Sequence, residues 1–153
     1  MREGWPSHIV TALGKKHVMP SSGSNHLVIE FDDTEVVDPS GKWVAITRED
    51  IERIFAFTRE LPEGSRLLVH CRAGKSRSTA LLMGVLMQHG MSADEAFESV
   101  LAIRPVAIPN RMIVDLVDNV LETGGTLTAR VAAYYKTLMI PGVHLPDRGG
   151  ANL

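Results

Sequence analysis

The run Leu67-Leu-Val-His-Cys-Arg-Ala-Gly-Lys-Ser-Arg-Ser-Thr79 constrains this chain more than any other stretch. An apolar segment, Arg66–His70, reads as a strand, and the Leu67-Leu68-Val69 triplet predicts burial on both of its faces. A glycine-containing loop over Cys71–Arg77 follows, and then an apolar helix over Ser78–His89. A strand that reaches a helix through so short a loop turns successive backbone N–H groups inward, and the helix dipole adds positive potential at the same point. An anion with several oxygens fits such a loop.

The flanking sequence predicts the frame around it. Ser7–Leu13 reads as a strand that stops at Gly14, and Lys15–Asn25 as a polar loop. His26–Phe31 is a second strand, and Asp32–Ala45 a long exposed loop of the kind that often carries function. Thr47 caps a helix that runs to Glu60, with Glu49 and Asp50 in its first turn. Ser92-Ala-Asp-Glu95 is a capping box for a helix closing near Arg104-Pro105. Asn110 caps another that ends at Gly124-Gly125, and Thr126 opens a last helix through about Leu138. Strands alternating with helices and then a helical run predict an α/β fold, a small central mainly parallel sheet flanked by helices. Residues 1–138 are expected to form one domain and 139–153 a loose tail.

Several function classes are excluded early. The formal net charge of −2 supplies no bulk attraction to nucleic acid. The longest mostly apolar stretch, Thr79–Met87, is far short of the roughly 20 residues a membrane helix needs. Residues Met1–Pro6 show no apolar signal region, and one cysteine excludes an internal disulfide. A cytoplasmic protein is expected, with no nucleic-acid partner and no stable membrane insertion. His8, His17, His26, His89 and His144 lack ligand spacing, so no metal and no cofactor are expected. Met83 and Met87 read as core, and Tyr134-Tyr135 as residues packed against the preceding helix. Nothing in the sequence defines an oligomeric state.

That one cysteine, Cys71, stands at the loop entrance with Arg72, Lys75 and Arg77 close by. Positive surroundings of this kind favour the thiolate, so Cys71 is expected to be nucleophilic without a neighbouring base.

His70-Cys71, five residues, then Arg77-Ser78 resembles the signature of the cysteine-dependent protein tyrosine phosphatases, position for position. The resemblance implies that Cys71 attacks phosphorus to form a phosphocysteine, and that the Arg72, Ala73, Gly74, Lys75, Ser76 and Arg77 segment binds phosphate. Arg77 would grip two oxygens with its planar fork, which lysine cannot copy. It also implies that Ser78 eases thiolate departure and that His70 tunes the thiol from within the loop. The family's proton donor is an aspartate on an upstream loop. Ile29-Glu-Phe-Asp-Asp33 is similar to that segment of the dual-specificity group and registers Asp33 as the acid, with Asp32 and then Asp38 as the alternatives. Pro6–Leu13 looks like the early core strand of the same group, and Ile103-Arg-Pro-Val-Ala-Ile-Pro-Asn110 like its late helix–turn–helix junction. The compact form most resembles the small tyrosine-phosphatase-like proteins of bacteria.

The likeness implies a metal-independent phosphatase acting on phosphotyrosine, and also phosphoserine or phosphothreonine, proteins. Cys71-Arg-Ala-Gly-Lys75 is similar to the loop of phosphoinositide 3-phosphatases, so a phosphoinositide or another polyphosphorylated small molecule is an alternative substrate. A phosphate-binding pseudophosphatase is a further one. The family carries another strand or two ahead of the segment at Ser7, which leaves the expectation of either a minimal domain or a missing N-terminal piece. No counterpart of the deep phosphotyrosine pocket of the large tyrosine-specific enzymes is visible.

Overall fold

The computed structural model describes residues 4–20 and 23–139. Three parallel strands, β1 (His8–Leu13), β2 (His26–Glu30) and β3 (Leu67–His70), form one sheet in the order β2-β1-β3. The helices are α1 (Arg48–Arg59) between β2 and β3, then α2 (Arg77–Gln88), α3 (Ala93–Ile103), α4 (Arg111–Leu121) and α5 (Thr126–Leu138). The fold is α/β, as the alternation in sequence implies. The anticipated tail, 139–153, lies outside the described residues beyond Met139.

Register decides what each strand presents. Val10 pairs with Leu27 and Val69, and Ala12 with Ile29. This face joins Ile51, Ile54, Leu81, Met83, Ile113 and Val117 in one core. The opposite face carries Thr11 beside Val28 and His70, with Ile9 beside His26 and Leu68 in the adjoining row. One expectation fails here. Leu67, Leu68 and Val69 are each half-buried, not buried on both faces, because β3 stands at the edge of the sheet.

The helix ends form as their sequences dictate. Thr47 and Ser92 each close a capping box, with Asp50 and Glu95 returning the bond, and Asn110 Oδ1 accepts Ile113 N–H at 3.0 Å. Helix α5 opens at Thr126 as the sequence implies, but α4 stops at Leu121, ahead of the expected Gly124-Gly125. The N-cap of α5 is Gly125, which has no side chain to offer, and Asp118 of α4 caps the helix instead. Its carboxylate accepts Leu127 N–H at 3.2 Å and Thr128 N–H at 2.7 Å, and also binds the Thr123 and Thr128 hydroxyls. These bonds hold the Asp118 carboxyl below the usual range, against the burial that would raise it. At the α1–α2–α4 junction, Gly84 lets Phe55 and Val117 approach so closely that a Cβ there would lie 2.7 Å from Val117 Cγ2.

Candidate active site

The loop Cys71–Ser76 is built by its carbonyls as much as by its side chains. Gly74 takes φ +65°, a left-handed conformation that bends the loop at little cost for glycine. Four successive carbonyls then bond outward to the segment between α3 and α4. Arg104 donates through Nη2 to Ala73 O at 3.3 Å and through Nε to Gly74 O at 3.0 Å. Ile108 N–H reaches Lys75 O at 2.7 Å, and Asn110 N–H reaches Ser76 O at 3.1 Å. With the carbonyls tied outside, the amides of the loop are left to the concave side. That is the arrangement of an anion nest, completed by the N-terminus of α2.

Ser76 is the N-cap of α2 but makes no side-chain cap bond. Its hydroxyl donates instead to Asp33 Oδ1 at 2.9 Å.

Arg77 is 8% exposed. Its Nη1 donates to Phe31 O at 2.9 Å, and its guanidinium lies 5.9 Å from the centre of the Phe31 ring. Its Nε is buried without a hydrogen-bond partner. A buried, unpaired donor on a charged group is costly, so this atom marks where an acceptor belongs.

Cys71 is buried, and its Sγ lies 3.2 Å from Ser78 Oγ. His70 is half-buried, with Nε2 2.7 Å from Thr11 Oγ1. Its pKa lies below the usual histidine value, first because burial disfavours the cation and then because His26 adds a like charge. A hydrogen bond to the Cys71 backbone opposes both effects.

The aspartates separate clearly. Asp33 is exposed, and both bonds to its carboxylate fall on Oδ1, from Ser76 Oγ and from Asn110 Nδ2, each at 2.9 Å. No bond is made to its Oδ2 among the described residues. Asp32 closes the loop it begins: its N–H donates to Val44 O and its Oδ2 accepts Val44 N–H, both at 2.7 Å. A Cβ on Gly14 would lie 2.9 Å from Asp32 Oδ1, so that glycine clears the space. Asp38 turns inside the loop, accepting from Ser40 and from Trp43 N–H, and those bonds lower its pKa. Of the three, Asp33 alone reaches the Cys71 loop.

The loop thus brings Cys71 to Ser78 and Ser76 to Asp33, while His70 and Arg77 flank it, held by Thr11 and by Phe31 O. Arg72 turns outward to the rim, where Nη1 meets His17 Nε2 at 2.9 Å. Sequence reasoning missed the supporting residues. Arg104 reads only as a helix end and Asn110 only as a cap, yet the first holds two loop carbonyls and the second holds Asp33 and Thr34 O. Glu35 extends the same clamp by accepting from Arg111 Nε at 2.6 Å. Tyr134 and Tyr135 brace the segment from behind, donating to Ala107 O at 2.9 Å and Pro109 O at 2.8 Å. The proline-flanked spacing of Arg104 and Asn110 was the available signal.

Comparison with known proteins agrees with this fold. The sequence matches the family model of the dual specificity phosphatase catalytic domain over residues 9–119. It is 49% identical over 49 residues to mouse dual specificity phosphatase 28, covering 31% of this chain and 30% of that protein. It is 47% identical over 49 residues to dual specificity protein phosphatase 1 of Arabidopsis thaliana, covering 31% of this chain and 25% of that protein. These alignments span less than a third of either relative. The crystal structure of human DUSP28 superposes with a TM-score of 0.56 at 25% identity, covering 72% of each chain.

Proposed function

The chain belongs to the dual specificity phosphatase family, and from that membership we propose that it hydrolyses phosphomonoesters on protein tyrosine, and also serine or threonine, side chains through a phosphocysteine intermediate. The observation that carries this reading is the buried, unpaired Nε of Arg77 beside the nest.

In the first step Cys71 Sγ attacks phosphorus. The S–P bond forms as the P–O bond to the leaving group breaks, and a proton on Asp33 Oδ2 passes to the departing oxygen. The inward amides of the Cys71 loop and Arg77 hold the equatorial oxygens as their charge shifts. In the second step water attacks phosphorus, Asp33 takes its proton, and the S–P bond breaks. Ser78, 3.2 Å from the sulfur, donates a hydrogen bond to the leaving thiolate. Catalysis uses no metal, and the enzyme works in the cytoplasm.

A second reading keeps this chemistry and changes the substrate to a phosphoinositide or another polyphosphorylated small molecule. The basic rim favours it: Arg72 turns to His17, which follows Lys15 and Lys16. Further phosphates would meet cations there.

The test is turnover in EDTA of p-nitrophenyl phosphate, a phosphotyrosine peptide and a soluble phosphoinositide, with Cys71→Ser alongside. Activity that vanishes in the variant while vanadate binding survives is the expected result, with the peptide preferred. Preference for the phosphoinositide selects the second reading. Binding of the phosphopeptide without turnover makes the protein a pseudophosphatase and overturns the enzymatic proposal.

A further inference from the structure

Thr11 is fully buried on β1 and makes a bond that the chemistry above does not use. Its Oγ1 lies 2.7 Å from His70 Nε2 on one side and 2.8 Å from His26 Nε2 on the other. The register makes this possible. Thr11 stands directly opposite His70 on β3, while His26 on β2 sits one row back on the same face.

A hydroxyl has one proton, so it can donate to only one of the two rings and must accept from the other. The direction follows from the far side of His70. Its bond to the Cys71 backbone stabilises the charged ring, which is the sense of donation to a carbonyl. Nε2 is already committed to Thr11, so the nitrogen that donates to Cys71 is Nδ1. In the neutral ring Nε2 is then an acceptor. Thr11 therefore donates to His70 and accepts from His26, whose Nε2 carries a hydrogen.

We propose that Thr11 and His26 are positioning residues for the nucleophile: the directed chain from His26 Nε2–H through the Thr11 hydroxyl to His70, and from His70 Nδ1–H to the Cys71 backbone, locks the His70 tautomer and with it the entrance of the Cys71 loop. Its role in turnover rests on the phosphatase reading; the chain itself does not. By this chain the Cys71 carbonyl would be held to the His70 ring, much as the carbonyls of residues 73–76 are held by Arg104, Ile108 and Asn110. Removing the Thr11 hydroxyl leaves His70 Nε2 without its donor, so the Nδ1–H tautomer loses that part of its advantage over the Nε2–H form and the hold on the Cys71 carbonyl loosens.

The experiment is ¹⁵N NMR of histidine-labelled protein, which reads each neutral ring's tautomer without any need for turnover. The wild-type chain should show His70 as the Nδ1–H form and His26 as the Nε2–H form. In Thr11→Val, His70 should shift toward the Nε2–H form, and kcat/KM should fall about tenfold, as expected for loss of one net hydrogen bond. Thr11→Ser, which keeps the hydroxyl, should restore both. His26→Gln retains a donor and should keep His70 in the Nδ1–H form, whereas His26→Leu should loosen it. An Nε2–H His70 in the wild-type protein overturns the proposal even if Thr11→Val does not fold. So does Thr11→Ser behaving like Thr11→Val. A wild-type chain with the expected tautomers and no phosphatase turnover would leave the chain standing and sink the activity instead.

Discussion

The side-chain amide of Asn110 lies 2.9 Å from Asp33 Oδ1, so the residue that caps α4 also holds the aspartate facing the Cys71 loop. Its backbone N–H meanwhile binds Ser76 O at 3.1 Å. One buried residue therefore sets the distance between the Asp33 loop and the Cys71 loop.

Replacing it separates the two roles. Asn110→Ala loses the cap and should destabilise the fold by about 0.5–2 kcal/mol. Asn110→Asp keeps a good cap but removes the donor and places a second carboxylate beside Asp33. It should retain thermal stability more nearly than the alanine variant while losing at least as much turnover. Thermal melts alongside rates on poor leaving groups check both.

The two adjacent aspartates should differ in kind. Asp33→Ala should cut turnover of poor leaving groups by roughly 10²–10⁴, the usual worth of a general acid, and spare p-nitrophenyl phosphate more. Asp32→Ala should lower stability and affect every substrate alike, because it breaks the 2.7 Å bond to Val44 N–H that closes the loop. Equal leaving-group dependence in both variants would reassign the acid.

Gly84→Ala tests the packing behind the loop. The added methyl would stand 2.7 Å from Val117 Cγ2 and 3.2 Å from Phe55 Cζ, so the Val117 and Phe55 side chains, or the helices that carry them, must shift. Overpacking of this kind costs about 1–3 kcal/mol, read as a lower denaturation midpoint at unchanged slope.

Acidification should weaken the fold through His70. Its pKa is lowered in the folded state, so as pH falls the unfolded chain takes up the proton first. The stability tied to the neutral ring is fully present above the ordinary histidine pKa of about 6.5 and declines below it. Melting temperature should drop between about pH 7.5 and pH 5.5, and His70→Gln should flatten that slope. An unchanged slope in the variant would assign the effect to other groups.

The loop from His70 to Ser78 was legible because its chemistry is local. A nest, a helix N-terminus, a cysteine and an arginine arise from consecutive residues, and no distant contact is needed to bring them together. Helix caps are local for the same reason: Thr47 and Asp50, like Ser92 and Glu95, lie three residues apart. Even the choice of Asp33 over Asp32 followed from the resemblance, with the physical distinction supplied only later by Val44 and Asn110.

What tertiary structure decided are the bonds between residues far apart in the chain. Asn110 and Asp33 are separated by 77 positions, and Thr11 and His70 by 59. Strand order decided that β3 is an edge, which no apolar triplet can announce. Sheet register decided that one hydroxyl would face two imidazoles. Composition and periodicity report which side of an element is apolar, whereas a polar residue's partner depends on which element is laid beside it. The Cys71 loop and the arginine at its end were therefore readable from the sequence, and the clamp that holds them became visible only once α4, β1 and β2 were in place.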